Sequence, residues 1–350
     1  MTLDLTTNLD LQAFLIDYLG TEYNVVKDEI GFSSEVLIYR SKQTADQGVV
    51  LKIPRTVGAS VSVSRESRRS EILASVFPIK IEAIESRELS LQSFDVHIPT
   101  HIRTVKSSSH GFDLHINQLL PGINGAQYFS DLTSKEKEHF VQLLAQCLAG
   151  LHSVHVPTEI KPKLQFQVRM CYRDVLTSTD EVLPHSGSSR PWLKQIFDSV
   201  VFQDTKTHIE QKEATDAHDE KILNLIYDIK TFLDKPETDP FWDATCSQLV
   251  LTHGDYMLPN VLFLLGQPGK ASPLISGLVD LSECGMNDRR FDLASCIWSI
   301  KYNCKLCGLE STYGEKLAAQ FLHTYNAIVG VNISIEDLVP WRALYLLSYE

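Results

Sequence analysis

The chain has 350 residues, enough for two lobes around a cleft, and its 43% hydrophobic and 22% charged content is that of a globular protein with a sizeable core. A formal net charge of −12, from 44 acidic and 32 basic residues, argues against a nucleic-acid partner, which needs clustered Lys and Arg, and suits a cationic ligand better. No apolar run reaches the length of a membrane span, and MTLDLTTNLD lacks the basic and apolar regions of a signal peptide, so the expected setting is cytoplasmic, without a membrane partner.

Leu11, Phe14, Leu15, Tyr18 and Leu19 recur at helical spacing until Gly20, which predicts a short amphipathic helix with a glycine stop. Over 25–40 two β-prone runs flank Gly31, Ser33 and Ser34, a hairpin whose small turn residues let backbone N–H groups approach a phosphate closely. A polar turn over 43–48 leads into Val49-Val50-Leu51-Lys52-Ile53-Pro54, a strand with a lysine near its end. The spacing then predicts a helix over 62–76, with Glu66, Arg69, Leu73 and Val76 on one face. Strands and turns follow over 82–116, and Leu119-Leu120-Pro121-Gly122 reads as a turn.

A long helix begins at Thr133 or Ser134, either of which can cap it. Glu136 and Glu138 sit in its first turn, and Phe140, Leu143, Leu144, Cys147, Leu148 and Leu151 form its apolar stripe. His152 near its end reads as a packed or capping residue. The region 157–240 is the least regular: the charge-dense HIEQKEATDAHDEK is expected as a solvated loop, and Ile222, Leu225, Ile226, Ile229 and Phe232 then restore a helical pattern. Seven cysteines without disulfide-like spacing read as reduced thiols. Cys304 and Cys307 form a CxxC with no second ligand pair, expected as helix positions with one facing the core.

The stretch 249–264 is a strand, a polar loop carrying His253, Gly254, Asp255 and Asn260, and a second strand; a third apolar run over 274–279 delivers Asp280 at its end. Three oxygen acceptors thus gather at strand ends. Phosphoryl transfer to a hydroxyl needs such a set: one carboxylate to take the hydroxyl proton, and a carboxylate with an amide oxygen to hold magnesium on the phosphates. Asp255 suits the first role, Asn260 and Asp280 the others. Asp292 heads an apolar helix and could be its N-cap, and helical patterns continue over 314–329 and 336–350.

HGDYMLPN fits the pattern HGDxxxxN, and VDLSECGMNDRRFDLA supplies an Asp followed by DxxxDLA. This order resembles the catalytic and magnesium loops of the aminoglycoside phosphotransferase family, small-molecule kinases built on the protein-kinase fold. The resemblance runs from the glycine hairpin to the DLA helix, and its specific part is Thr252–Ala294. It implies an α+β, protein-kinase-like two-lobed fold, with a β-rich N-lobe over 1–118 that binds nucleotide and a mainly helical C-lobe over 119–350. It also implies roles: Asp255 orients and deprotonates the acceptor hydroxyl, and His253 fixes the catalytic loop. Asn260 and Asp280 ligate Mg2+. Lys52 positions the phosphates, paired with Glu66 or alternatively Glu71, while Gly31, Ser33 and Ser34 cover them. Gln118 and Leu120 form the hinge beside the base, and Asp292 braces the catalytic loop from below. The implied activity is transfer of the γ-phosphate of ATP or GTP to a hydroxyl of an antibiotic, an aminoglycoside first. Macrolide, choline-, fructosamine- and homoserine-type acceptors stay open, as does a nucleotide-binding pseudokinase. The implied partners are a nucleoside triphosphate and a small cationic acceptor, bound by a monomer or dimer.

Overall fold

The protein is described from a computed structural model that covers residues 9–347 apart from 21, 29–33, 44–46, 86–89, 107–111, 165–170, 173–174, 177–189, 191–192, 195–196, 199–206, 208–216, 243–248 and 265–272. Helix α1 (Leu9–Leu19) stops at Gly20, whose φ of +85° is open to glycine at little cost. It packs on the antiparallel strands β1 (Tyr23–Asp28), β2 (Ser34–Ser41) and β3 (Gly48–Pro54). Alternation sorts β3: Val49, Leu51 and Ile53 are buried against Leu11, Leu15 and Leu19, so Lys52 takes the opposite face.

That opposite face is covered by α2 (Val57–Leu73). The helix begins five residues earlier than the apolar spacing predicts, because Thr56 caps it by accepting from the Ala59 N–H, and it ends three residues earlier, leaving Val76 outside. Glu66, Arg69 and Leu73 all lie on its buried side. Strand β4 (Ile79–Ile81) and a short ladder of β5 (Ile84–Glu85) with β6 (Ser90–Leu91) lead to β7 (Phe94–Val96), which pairs with β4. Strands β8 (His101–Val105) and β9 (Leu114–Gln118) complete a five-stranded sheet in the order β1-β2-β3-β9-β8. Ile79, Ile81, Phe94 and Val96 pack into the core of the helical part rather than into that sheet.

Beyond β9, β10 (Ile123–Asn124) joins a second sheet, and Asn124 caps α3 (Gly125–Asp131). Thr133, not Ser134, caps α4 (Ser134–His152): its hydroxyl accepts from the Glu136 N–H while the Glu136 carboxylate accepts from the Thr133 N–H. Strands β11 (Cys171–Tyr172) and β12 (Val175–Leu176) form a small hairpin. Helix α5 (Ala217–Leu233) starts within the charge-dense segment, so 217–221 is helical where a loop was expected. An i, i+4 ion pair between Lys230 and Asp234 closes its far end.

Strand β13 (Leu249–Thr252) precedes the hairpin β14 (Val261–Leu264) and β15 (Leu274–Leu278), which extends β10. Strand β16 (Gly285–Asp288) pairs with β13; its sequence GMND carries no alternation, so the sequence does not announce it. The long helices α6 (Arg289–Leu306) and α7 (Ser311–Val329) and the shorter α8 (Val339–Leu347) enclose the core with α4. Phe140 stacks on Phe263 at 4.6 Å, joining α4 to the hairpin. Cys304 is a buried position of α6, whereas Cys307, expected as a second helix position, is exposed and is the C-cap just past the helix end at Leu306. No helix among the described residues is long and apolar enough to cross a membrane.

His115, paired across the sheet with Lys52, ties β9 to α2. Ser67 gives its own proton to Val63 O, so His115 Nδ1 donates to Ser67 Oγ at 2.9 Å. Burial lowers its pKa to about 4, with His101 adding to the shift. The unfolded chain therefore binds a proton that the folded one refuses between about pH 6.5 and pH 4, and stability falls as pH drops through that window. Urea midpoints across pH 4–7 should fall less steeply in His115→Gln than in the parent; equal slopes would remove His115 as the cause.

Candidate active site

The loop after β13 is held from beneath. Asp292, in the first turn of α6 and wholly buried, accepts from the His253 N–H at 2.7 Å and the Gly254 N–H at 2.8 Å. It also accepts from His152 Nε2 at 3.2 Å, which leaves Nδ1 of that ring to accept from the Tyr325 hydroxyl at 2.7 Å. His152 is thus a packed residue, its pKa lowered by burial. Asp288, not Asp292, is the N-cap of α6. Gly254 has φ +83°, and a Cβ there would drive into the Glu283 backbone carbonyl.

His253 accepts from the Asp255 N–H through Nδ1 and donates from Nε2 to Val279 O at 2.9 Å. Both ring nitrogens are engaged with backbone groups of the loop and of Val279, and burial lowers the ring's pKa. Asp255 is 8% exposed. Its Oδ2 accepts from Asn260 Nδ2 at 2.8 Å, and its Oδ1 accepts from the Tyr345 hydroxyl, 90 residues onward, at 2.7 Å. Asn260 Nδ2 also donates to Asp255 O at 2.9 Å, so the amide nitrogen is committed and the amide oxygen is the atom left for a ligand.

Val279 N–H donates to Asn260 O at 2.9 Å, which sets Asp280 beside Asn260. Asp280 stands in the left-handed region at φ 62°, ψ 61°, alone in that respect among the described non-glycine residues, and its side chain is 49% exposed. Lys52 Nζ lies 2.5 Å from Glu66 Oε2 and 3.6 Å from Asp280 Oδ1. Burial opposes the ammonium, but the Glu66 and Asp280 carboxylates outweigh it and raise the Lys52 pKa. Glu71, the alternative partner, is exposed. Arg65, one residue before Glu66, donates to both Glu283 oxygens at 3.1 and 3.3 Å, so α2 is tied to the segment that follows Asp280. Neither this bridge nor Tyr345 was legible in the sequence.

Ser34 opens β2 opposite Pro54; it is buried, and no described group bonds its hydroxyl. Gly31 and Ser33 fall outside the described residues. Gln118 is exposed at the end of β9 with its N–H donated to Thr100 O, and Leu120 is buried beneath it. Ser276 Oγ donates to Pro121 O at 2.6 Å, and His97 N–H donates to Ser276 O at 3.1 Å, so the turn after β9 and the backbone at His97 are both tied to β15.

The Asn260 amide oxygen and the Asp280 carboxylate are hard donors of the kind Mg2+ takes. Among the described residues no cluster of three or more His, Cys, Asp or Glu side chains could cage an ion. The set therefore fits a cation that completes its shell with phosphate oxygens and water, the usual habit of Mg2+.

A sheet whose partly buried lysine meets a helix glutamate, followed by a helical part that carries a braced HGD loop and a hairpin-end aspartate, defines a kinase-like α+β fold. The chain belongs to the phosphotransferase enzyme family, whose sequence model, abbreviated APH, matches residues 30–327. Solved structures agree on the fold. The GDP complex of wild-type aminoglycoside 2'-phosphotransferase-IIIa aligns with TM-score 0.56 at 13% identity, over 98% of this chain and 90% of that one. A thermostable mutant of aminoglycoside phosphotransferase APH(4)-Ia, in ternary complex with ADP and hygromycin B, aligns with TM-score 0.53 at 14% identity, over 97% and 88%. Macrolide 2'-phosphotransferase MphH from Brachybacterium faecium aligns with TM-score 0.52 at 18% identity, over 96% and 89%. No curated protein matches the sequence.

Proposed function

We propose that this protein transfers the γ-phosphate of ATP or GTP to a hydroxyl of a small molecule, an aminoglycoside first. Residues 1–118 form the nucleotide-binding lobe and 119–350 the lobe holding the chemistry. The observation that carries the reading is the convergence of Lys52, of Asp255 and Asn260 on one loop, and of Asp280, from three separate segments, on one place. Lys52, fixed by Glu66, holds the phosphates. Ser34 would cover them, with Gly31 and Ser33 given the same role by the sequence, and Gln118 and Leu120 would border the base. Asn260 and Asp280 would hold Mg2+, which when bound neutralises charge between phosphates. Asp255 takes the acceptor's hydroxyl proton as the new O–P bond forms and the bond to the β-phosphate oxygen breaks, releasing nucleoside diphosphate.

The structural neighbours bind GDP, or ADP with hygromycin B, which supports a nucleotide donor and an aminoglycoside acceptor here. One observation favours a second acceptor class. Trp298 and Tyr302 stack at 5.0 Å with planes 9° apart, and Trp298 lies 6.2 Å from the Tyr345 ring that reaches Asp255. A stacked aromatic pair beside that ring suits the apolar face of a macrolide. The test is nucleotide turnover with ATP and with GTP, magnesium present, against aminoglycosides, macrolides and small metabolite alcohols. Acceptor-dependent release of ADP or GDP is expected, with phosphate recovered on the acceptor. Failure of both nucleotides to bind with magnesium would sink the reading.

A further inference from the structure

Tyr345 lies far from the HGD loop in sequence, in a helix whose apolar stripe explains it without any reference to its hydroxyl. In the structure that hydroxyl sits 2.7 Å from Asp255 Oδ1 and 2.8 Å from Met257 Sδ. A phenol has one proton, and a carboxylate accepts it far better than a thioether, so the bond belongs to Asp255. The ring cannot drift. It is 2% exposed, edge-on to Phe291 at 5.9 Å, and its helix neighbours Trp341, Ala343 and Leu344 are fully buried.

Asn260 holds the other oxygen, so two donors from different parts of the fold grip the carboxylate at both ends. A single donor would leave the group free to turn about its terminal torsion, which is broad and soft. Gripped at both oxygens, its plane is set before any acceptor arrives. Tyr345 stabilises the ionised form and fixes its direction in the same bond.

Resting on the reading of Asp255 as the base, we propose that Tyr345 is the positioning residue of the catalytic carboxylate. It acts through Asp255, and its hydroxyl sets the angle at which the base meets the acceptor. Its contribution is then seen in the rate of the chemical step and not in nucleotide affinity.

The experiment compares wild type, Tyr345→Phe and Asp255→Asn, using magnesium with ATP or GTP and water as the acceptor present in every assay, and adds any acceptor found active. Tyr345→Phe removes only the hydroxyl and keeps the packed ring. The expected result is a kcat lower by on the order of tenfold, as for one hydrogen bond to a charged group, with nucleotide KM unchanged. If Asp255→Asn loses turnover while Tyr345→Phe keeps the wild-type kcat, or loses nucleotide affinity in step with it, the Tyr345 proposal falls and the kinase reading stands. If Asp255→Asn turns over nucleotide as the wild type does, the reading of Asp255 as base falls and takes this inference with it.

Discussion

Asp255→Asn is expected to lower phosphoryl transfer by about 10²–10⁴-fold, the usual worth of a positioned base, while nucleotide binding with magnesium stays within about twofold. The separation follows from the hydrogen bonds. Asparagine keeps an oxygen for Asn260 Nδ2 and turns its amide nitrogen toward Tyr345, whose hydroxyl can then accept that N–H and give its own proton to Met257 Sδ, 2.8 Å away. Each of these four groups stays partnered, so the fold and the phosphate-binding residues are expected to be undisturbed. Only the proton acceptor is lost. Steady-state kinetics beside isothermal titration with nucleotide check it: a variant with unimpaired kcat would show that Asp255 is not the base.

The second large effect falls on stability. Asp292→Ala strands the His253 and Gly254 N–H groups and His152 Nε2 inside the protein, where water does not reach them. Losing charge-assisted bonds and leaving buried donors unpaired should cost about 3–5 kcal/mol. Asp292→Asn does not rescue it fully, since the amide must point an N–H at one of two backbone N–H donors. Urea unfolding gives the test. A midpoint fall in both Asp292 variants, largest in alanine, with Asp255→Asn close to wild type, is the expected order. Equal midpoints for Asp292→Ala and the parent would mean the loop is held by something else.

What the sequence conveyed and what it hid divide on physical lines. Asp255 and Asn260 lie five residues apart, and Asp280 ends an apolar run, so local pattern alone gathers them. Lys52 and Glu66 were legible because alternation and helical spacing fix the face each occupies, and the structure brings them to 2.5 Å. Tyr345 and the Arg65–Glu283 bridge depend on contacts across 90 and 218 residues, which no local period encodes. β16 was missed because a four-residue strand buried on both sides needs no alternation, and the start of α2 was missed because VGASVSVS carries weak apolar spacing. The charge-dense segment misled at 217–221 because charged residues on the outer face of a helix look, in sequence, like a solvated loop.

Asp280 stands on a left-handed backbone with its carboxylate half in water. A side chain there carries strain of about 1 kcal/mol that glycine would not, and little packing is lost by removing it. A population of variants screened for heat resistance alone would therefore drift toward glycine at this position, which is one base change from aspartate. A population screened for phosphoryl transfer would hold aspartate against that drift. Running the two selections in parallel would make the composition at residue 280 a readout of which pressure shaped the chain.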